Sequence, residues 1–278
     1  MMKRVIAISV IVLGLVGCGT TEKKSIGEQY HGMNAEEIYM RGERSMANQS
    51  YKSAIADFEA IEALYPFSVN AQQSQLNLIY ANFSDNQFAQ AEAAANRYIH
   101  LYPRSEHVDY AYYMKGLANF NQDRGVFQRY IRTDLSKRDI STIQQSFADF
   151  NELVSQFPHS PYAYDARERM IYLRNLMAQQ QLNIAVYYFS IQAYVAAINR
   201  ANQVLIHYQE APQVVAALGV VAQSYHKLGL NELAEQTKQI LALNFPESEV
   251  YKKVVAVLQQ PVVLQPPVDI LKTLHSET

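Results

Sequence analysis

One eighteen-residue stretch of this chain keeps returning. "YKSAIADFEAIEALYPFS" (51–68) recurs as "FAQAEAAANRYIHLYPRS" (88–105), "IQQSFADFNELVSQFPHS" (143–160) and "NELAEQTKQILALNFPES" (231–248). Each copy ends on an aromatic residue followed by proline, at Tyr65-Pro66, Tyr102-Pro103, Phe157-Pro158 and Phe245-Pro246. A serine stands two residues further on, at Ser68, Ser105, Ser160 and Ser248. Proline cannot continue a helical hydrogen-bond ladder and pushes the residue before it out of the helical region. The serine is expected to cap the helix that follows. A fifth copy, "YVAAINRANQVLIHYQEA" (194–211), has Gln209 where the proline stood. A chain punctuated in this way folds as a row of similar units that stack on one another.

The spacing defines the unit. Pro66 to Pro103 and Gln209 to Pro246 are both 37 residues, near the ~34-residue helix–turn–helix period of tetratricopeptide repeats. Intervals of 55 and 51 residues separate the others, so each holds extra chain. Gly42, Ala54, Phe58 and Pro66 stand at tetratricopeptide spacing, and Gly116 opens a third unit in the same way. Ala185 with Ala197 and Ala201, and Ala222 with Ala234, put small residues at matching places. Such residues let paired helices approach. Phe58, Ile61, Phe150, Leu153 and Leu241 are the expected filling between hairpins. With 10 glycines and no alternating Val/Ile/Thr runs, the chain reads as all-α. The expectation is a tetratricopeptide superhelix of five hairpins (34–66, 67–103, 105–158, 160–209 and 211–246), with a C-terminal capping helix over 249–259. Residues 34–158 form one half and 159–259 the other. The proline-rich tail, 260–278, is expected to be extended.

The chain opens differently. Lys3 and Arg4 precede an apolar run from Val5 to Leu13 and then small residues, the layout of a secretory leader. Its last four residues, Leu15-Val16-Gly17-Cys18, resemble a bacterial lipobox, and Cys18 is the only cysteine in 278 residues. That resemblance implies cleavage after Gly17, acylation of Cys18 and attachment to a bilayer without a spanning helix. Gly19 rather than Asp implies the outer membrane. The competing reading is an ordinary leader, 1–17, with an incidental cysteine. Residues 18–33 are expected to be a polar tether.

Little here suggests chemistry. The seven histidines are scattered, and neither H-E-x-x-H, G-x-S-x-G nor a phosphate loop occurs. His207 and His226 lie on helical faces, and Glu36-Glu37 suits a helix start better than catalysis. The net charge of −2 gives no basic excess for nucleic acid. Neither metal nor cofactor is expected beyond the lipid on Cys18. A concave helical stack suits polypeptide binding, and twenty tyrosines without tryptophan offer half-wet contacts. These tyrosines either wedge between hairpins or line a groove. The insert Gln122–Ile140, with Arg124, Arg129, Arg132, Lys137 and Arg138 near Asp123, Asp134 and Asp139, is either a self-paired loop or a contact surface.

Over 34–248 a more specific likeness emerges. "NAEEIYMRGERSMANQSYKSAIADFEAIEALYPFSVNAQQSQLNLIYA" (34–81), "YYMKGLANF" (112–120), "DLSKRD" (134–139), "FADFNELVSQFPHSPYAYDA" (147–166) and "YVAAINR" (194–200) resemble, in order, the BamD family. These are lipoproteins of the β-barrel assembly machinery in the outer membrane. The resemblance implies a non-enzymatic protein that faces the periplasm and binds BamA through its C-terminal half, with BamC and BamE as further partners. It also implies capture of the C-terminal targeting signal of unfolded outer-membrane proteins by the N-terminal repeats. Arg200, with Arg138 and Asp139, is the implied BamA contact; Tyr65, Tyr80, Arg97 and Tyr98 are the expected walls of the peptide groove. The rivals are a tetratricopeptide lipoprotein adaptor for cell-wall proteins and a hydrolase or transferase built on helical repeats.

Overall fold

The computed structural model describes residues 25–122 and 140–261. The leader with Cys18, the insert residues 123–139 with Arg138 and Asp139, and the tail beyond Pro261 lie outside the described residues. Twelve helices follow in order: α1 (Ile26–Gln29), α2 (Ala35–Ala47), α3 (Tyr51–Leu64), α4 (Ala71–Ser84), α5 (Phe88–Leu101) and α6 (Val108–Gln122), then α7 (Ser141–Gln156), α8 (Ala163–Ser190), α9 (Tyr194–His207), α10 (Val214–Lys227), α11 (Asn231–Asn244) and α12 (Glu249–Leu258). Helices α2 to α11 pair as five antiparallel hairpins. Each packs on the next, and α12 covers α10 and α11 at the end of the row. The described residues contain helix and no strand.

Glycine and phenylalanine close the first and third hairpins. A Cβ on Gly42 would meet Phe58 Cε1 at 2.6 Å, and one on Gly116 would meet Phe150 Cε1 at 2.6 Å. Phe58 and Phe150 therefore fill the space inside their own hairpins, and each belongs to a different cluster of buried residues. In the second hairpin Ile79 stands in the glycine's register and Ala95 in the phenylalanine's, both fully buried. Exchanging large for small across the pair keeps the volume, and cores tolerate volume-conserving swaps best. Gly219 serves another purpose: Val250 of the capping helix seats directly on it.

The turns between hairpins correct one expectation. Ser68, Ser105, Ser160 and Ser248 each donate a backbone N–H to the carbonyl of the aromatic residue three before, at 3.0–3.1 Å. Only Ser248 is a true helix cap, accepting from the Tyr251 N–H at 3.1 Å. Ser105 and Ser160 lie a turn too early for that. Their hydroxyls accept the N–H two residues on, from His107 and Tyr162 at 3.2 Å, and also bind across the stack, Ser105 to Tyr98 at 2.7 Å and Ser160 to Asp109 at 2.7 Å. The proline is also dispensable: Tyr208, followed by Gln209, ends α9 with φ −132° and ψ 44°, matching Tyr102 before Pro103 at −128° and 54°.

Within hairpins the turn rests on left-handed residues. Gln49, Asn86, Gln192 and Gly229 have φ between 57° and 75° and sit at corresponding places after α2, α4, α8 and α10. The next residue's N–H reaches back five residues, as Ser50 does to Ser45 at 2.8 Å and Leu230 to Tyr225 at 2.9 Å. That closes the helix end with a Schellman-type turn.

The longest helix explains an irregular interval. At 28 residues α8 spans about 42 Å; it packs on α7, α9 and α10, doing the work of a connector and a repeat helix together.

Residues 25–33, expected to be tether, are part of the fold. Ser25 and Glu28 form a capping box at α1, and Tyr30 is only 3% exposed. Its hydroxyl donates to Asp57 at 2.9 Å, and Arg41 lies 4.6 Å from its ring centroid while its Nε donates to the same Asp57 oxygen at 3.0 Å. The Tyr65 hydroxyl donates to the Met33 carbonyl at 2.7 Å. The first hairpin is thus capped by the chain that enters it.

Candidate partner-binding surfaces

The two helices of each hairpin are not equivalent in the stack. First helices meet across repeats, α4 with α6 and α8 with α10, and α12 meets α10 in the same manner. No second helix comes into comparable contact with another among the described residues. The row therefore curls toward its first helices, which form the inner face.

Tyrosines run along this inner layer. Tyr80 of α4 is 44% exposed and meets Tyr51 edge-on at 6.4 Å. Tyr110 and Tyr113 of α6 gather around Tyr162, at 5.6 Å and, stacked, 4.9 Å. Burial raises the Tyr110 phenol well above its ordinary pKa, and the phenols of Tyr162, Tyr80 and Tyr113 add to it. Tyr113 donates to Asp165 at 2.7 Å, and Arg169 binds the same carboxylate. Partial burial works to raise the Asp165 pKa, but the bonds from Arg169 and Tyr113 outweigh it and hold the carboxyl below its usual range. Arg169 also stands 5.5 Å from the Phe120 ring, which meets Tyr172 edge-on. The result is a half-exposed aromatic lining with a fixed cation and anion within it.

The expected groove residues are dispersed. Tyr80 belongs to this lining. Tyr98 is fully buried, with its hydroxyl on Ser105 and Gln72, and presents no surface to a peptide. Tyr65 is half-buried and holds Met33. Arg97 lies on the second helix of its hairpin and pairs with Glu62 of α3, so it is carried away from Tyr80. The sequence placed four residues in one site because repeat number and residue type were legible and helix facing was not. Tyr110 and Tyr113 belong to the Tyr110-Ala-Tyr112-Tyr113 cluster, which is already too dense in the sequence for one core layer; Tyr162, Asp165 and Arg169 were missed, and their signal was the Y-A-Y-D-A-R-E-R pattern at the start of α8.

Arg200 occupies an unusual register. In the first and third hairpins a base on the first helix meets a buried acid on the second: Arg41 with Asp57, and Lys115 with Asp149 at 3.1 Å. In the fourth hairpin those two registers hold Ile184 and Arg200. Arg200 is exposed and donates to Gln181 across the hairpin at 3.4 Å. Beside it a shallow cavity is lined by Tyr188, Ala196, Asn199 and Gln203. Exposed apolar side chains continue over this half, including Val195, Ile206 and Leu243. Glu36 and Glu37, by contrast, are structural: Glu37 completes a capping box with Asn34, and Glu36 accepts from Asn70.

The profile of the YfiO family, described as outer membrane lipoprotein, matches residues 31–240. The chain belongs to that family. Among its relatives is the outer membrane protein assembly factor BamD of Neisseria meningitidis serogroup A (strain Z2491), 34% identical over 250 residues that span 89% of this chain and 93% of that protein. The BamD of Pasteurella multocida is 36% identical over 75% of this chain and 80% of its own length. That of Vibrio cholerae is 34% identical over 75% and 86%. This is a non-enzymatic family of outer membrane lipoproteins, and the match runs through the first four hairpins and into α11 of the fifth.

Proposed function

We propose that this chain is a subunit of the outer-membrane β-barrel assembly machinery, held to the membrane by acyl chains on Cys18, and that it binds polypeptides without transforming them. Its fourth and fifth hairpins engage BamA, with Arg200 as the central contact and Arg138 and Asp139 of the insert beside it. BamC and BamE are its further partners. Its inner aromatic layer takes the C-terminal targeting signal of unfolded outer-membrane proteins, with Tyr80 as the one of the four residues first expected there that belongs to it. Tyr98 and Tyr65 are held within the stack, and Arg97 is exposed on a second helix.

The observation that carries the reading is Arg200. Two other hairpins neutralise this register internally, whereas here a cation faces solvent beside a shallow cavity. A partner carboxylate would supply the missing charge in a bidentate geometry that Arg favours, and burying it at an interface makes the contact sensitive to charge reversal. The test is a mild-detergent pull-down of the acylated protein. Wild type is expected to retain BamA, and Arg200→Glu to lose it while BamA is still produced. Retention by the variant overturns the interface. For the groove, photo-crosslinkers at Tyr80 and Tyr113 are expected to trap unfolded barrel proteins, and one at Arg97 is not; capture at Arg97 alone moves the groove to the outer layer.

A further inference from the structure

The five turns that follow the hairpins, four leading to the next hairpin and the last to α12, form an internal comparison. Position three of the turn holds Phe67, Arg104, His159, Glu210 and Glu247; position five holds Val69, Glu106, Pro161, Pro212 and Glu249. Only the first turn is apolar at both. Phe67 is 99% exposed and Val69 98%, so neither side chain contributes to the fold. Two bonds tie this turn to the point where the chain enters the stack: Tyr65 to the Met33 carbonyl at 2.7 Å, and Asn70 to Glu36 at 2.6 Å. Because residues 25–33 are folded onto the first hairpin, only the chain from Cys18 to Ser25 remains as a leash. Fully extended, that spans about 25 Å. The turn bound to Met33 and Glu36, where the folded entry segment meets the first hairpin, is the one that projects bare apolar side chains.

We propose that the Pro66–Val69 turn is a second membrane contact, with Phe67 and Val69 dipping into the bilayer interface near the anchored N-terminus. This rests on the reading of Cys18 as acylated. A projecting tip suits lipid better than protein: recognition of a peptide needs a recess that encloses its side chains, Phe67 stands out from the surface, and the open recess beside Val69 is lined mostly by polar side chains such as Gln72, Gln73 and Glu106. A fluid interface accepts aromatic and aliphatic side chains without a preformed pocket. One anchor at Cys18 leaves the stack free to swivel. A second contact on the first hairpin restricts that motion and gives the inner face a preferred direction relative to the membrane.

The absence of tryptophan from the sequence makes the test clean. Phe67→Trp places a single indole at the tip, and Arg104→Trp places one at the same register of the next turn. Each acylated full-length protein is put into phosphatidylethanolamine–phosphatidylglycerol vesicles with and without brominated lipid. The expected result is blue-shifted emission at position 67 that brominated lipid quenches, with neither effect at 104. Water-like, unquenched emission at 67 overturns the proposal, as does equal quenching at both turns. A blue shift at 67 that appears only on adding BamA also overturns it, in favour of a protein contact. Mass spectrometry of Cys18 separates the two readings. If the thiol is free, the anchor reading fails by itself; the same protein is then coupled to a maleimide lipid through this sole cysteine and the same two readouts decide the turn.

Discussion

Lys115 reaches Asp149 across the third hairpin, with 3.1 Å between Nζ and Oδ1. Asp149 is 1% exposed and also accepts from Asn119 at 2.7 Å and Gln145 at 3.1 Å. Removing the cation leaves a buried carboxylate with two amide donors and no counter-charge. Lys115→Met is therefore expected to cost about 3 kcal/mol in urea unfolding, and a double Lys115→Met/Asp149→Leu variant to recover much of it. Arg41→Met, on the more open pair with Asp57, is expected to cost roughly 1–2 kcal/mol. Equal losses for the two would show that burial does not set the difference.

Arg200 lacks such a pair, so its removal spares the fold. Arg200→Glu is expected to change unfolding stability by less than about 0.5 kcal/mol, as for other exposed positions. Loss of BamA retention without loss of stability separates an interface residue from a structural one.

The close seat of Phe150 on Gly116 predicts overpacking. Gly116→Ala adds a Cβ 2.6 Å from a fully buried ring and is expected to cost about 1–3 kcal/mol. Phe150→Leu in the same chain is expected to restore part of that loss, because neighbours that share one cavity are not additive. Additive thermal-unfolding losses would place the strain elsewhere.

Tyr30 predicts an alkaline limit. Burial and the hydrogen bond to Asp57 push its phenol up to about 12 from 10.0. A group whose pKa is higher in the folded state stabilises it fully below the unfolded value and loses that contribution as pH rises through the folded one. Stability is thus expected to fall between about pH 10 and 12, and more steeply in wild type than in Tyr30→Phe. Denaturant midpoints at pH 9, 10 and 11 check this.

Gln192 predicts a gain. Its φ of 64° costs a side-chain-bearing residue roughly 1–2 kcal/mol, offset in part because glycine loosens the unfolded chain. Gln192→Gly is expected to raise stability by about 0.5–1 kcal/mol, toward the arrangement that Gly229 already provides in the next hairpin. A loss on this substitution would mean that the Gln192 side chain carries a contact outweighing the strain.

Most of the architecture was readable because repetition supplies its own controls. Four copies with the same aromatic–proline ending located the hairpins, and residue spacing located Gly42 and Gly116. The serine role was misread because Ser105 and Ser160 lie one turn ahead of their helices, a displacement that spacing alone does not reveal. The left-handed turn at Gln49 and Gln192 was not seen because neither residue is glycine or asparagine.

The candidate site was less legible, for a different reason. Tyr65, Tyr80, Tyr98 and Arg97 share two repeats but face four ways, and side-chain type does not report which face of a helix meets the core. The amino-acid sequence determined the helical repeat, its count and the family, since these depend on local propensity and on order along the chain. Tertiary structure alone decided that Tyr98 is core, that Arg97 faces outward, that residues 25–33 belong to the fold and that Phe67 stands bare. Those outcomes depend on which helices touch, and burial is a property of neighbours brought together across tens of residues.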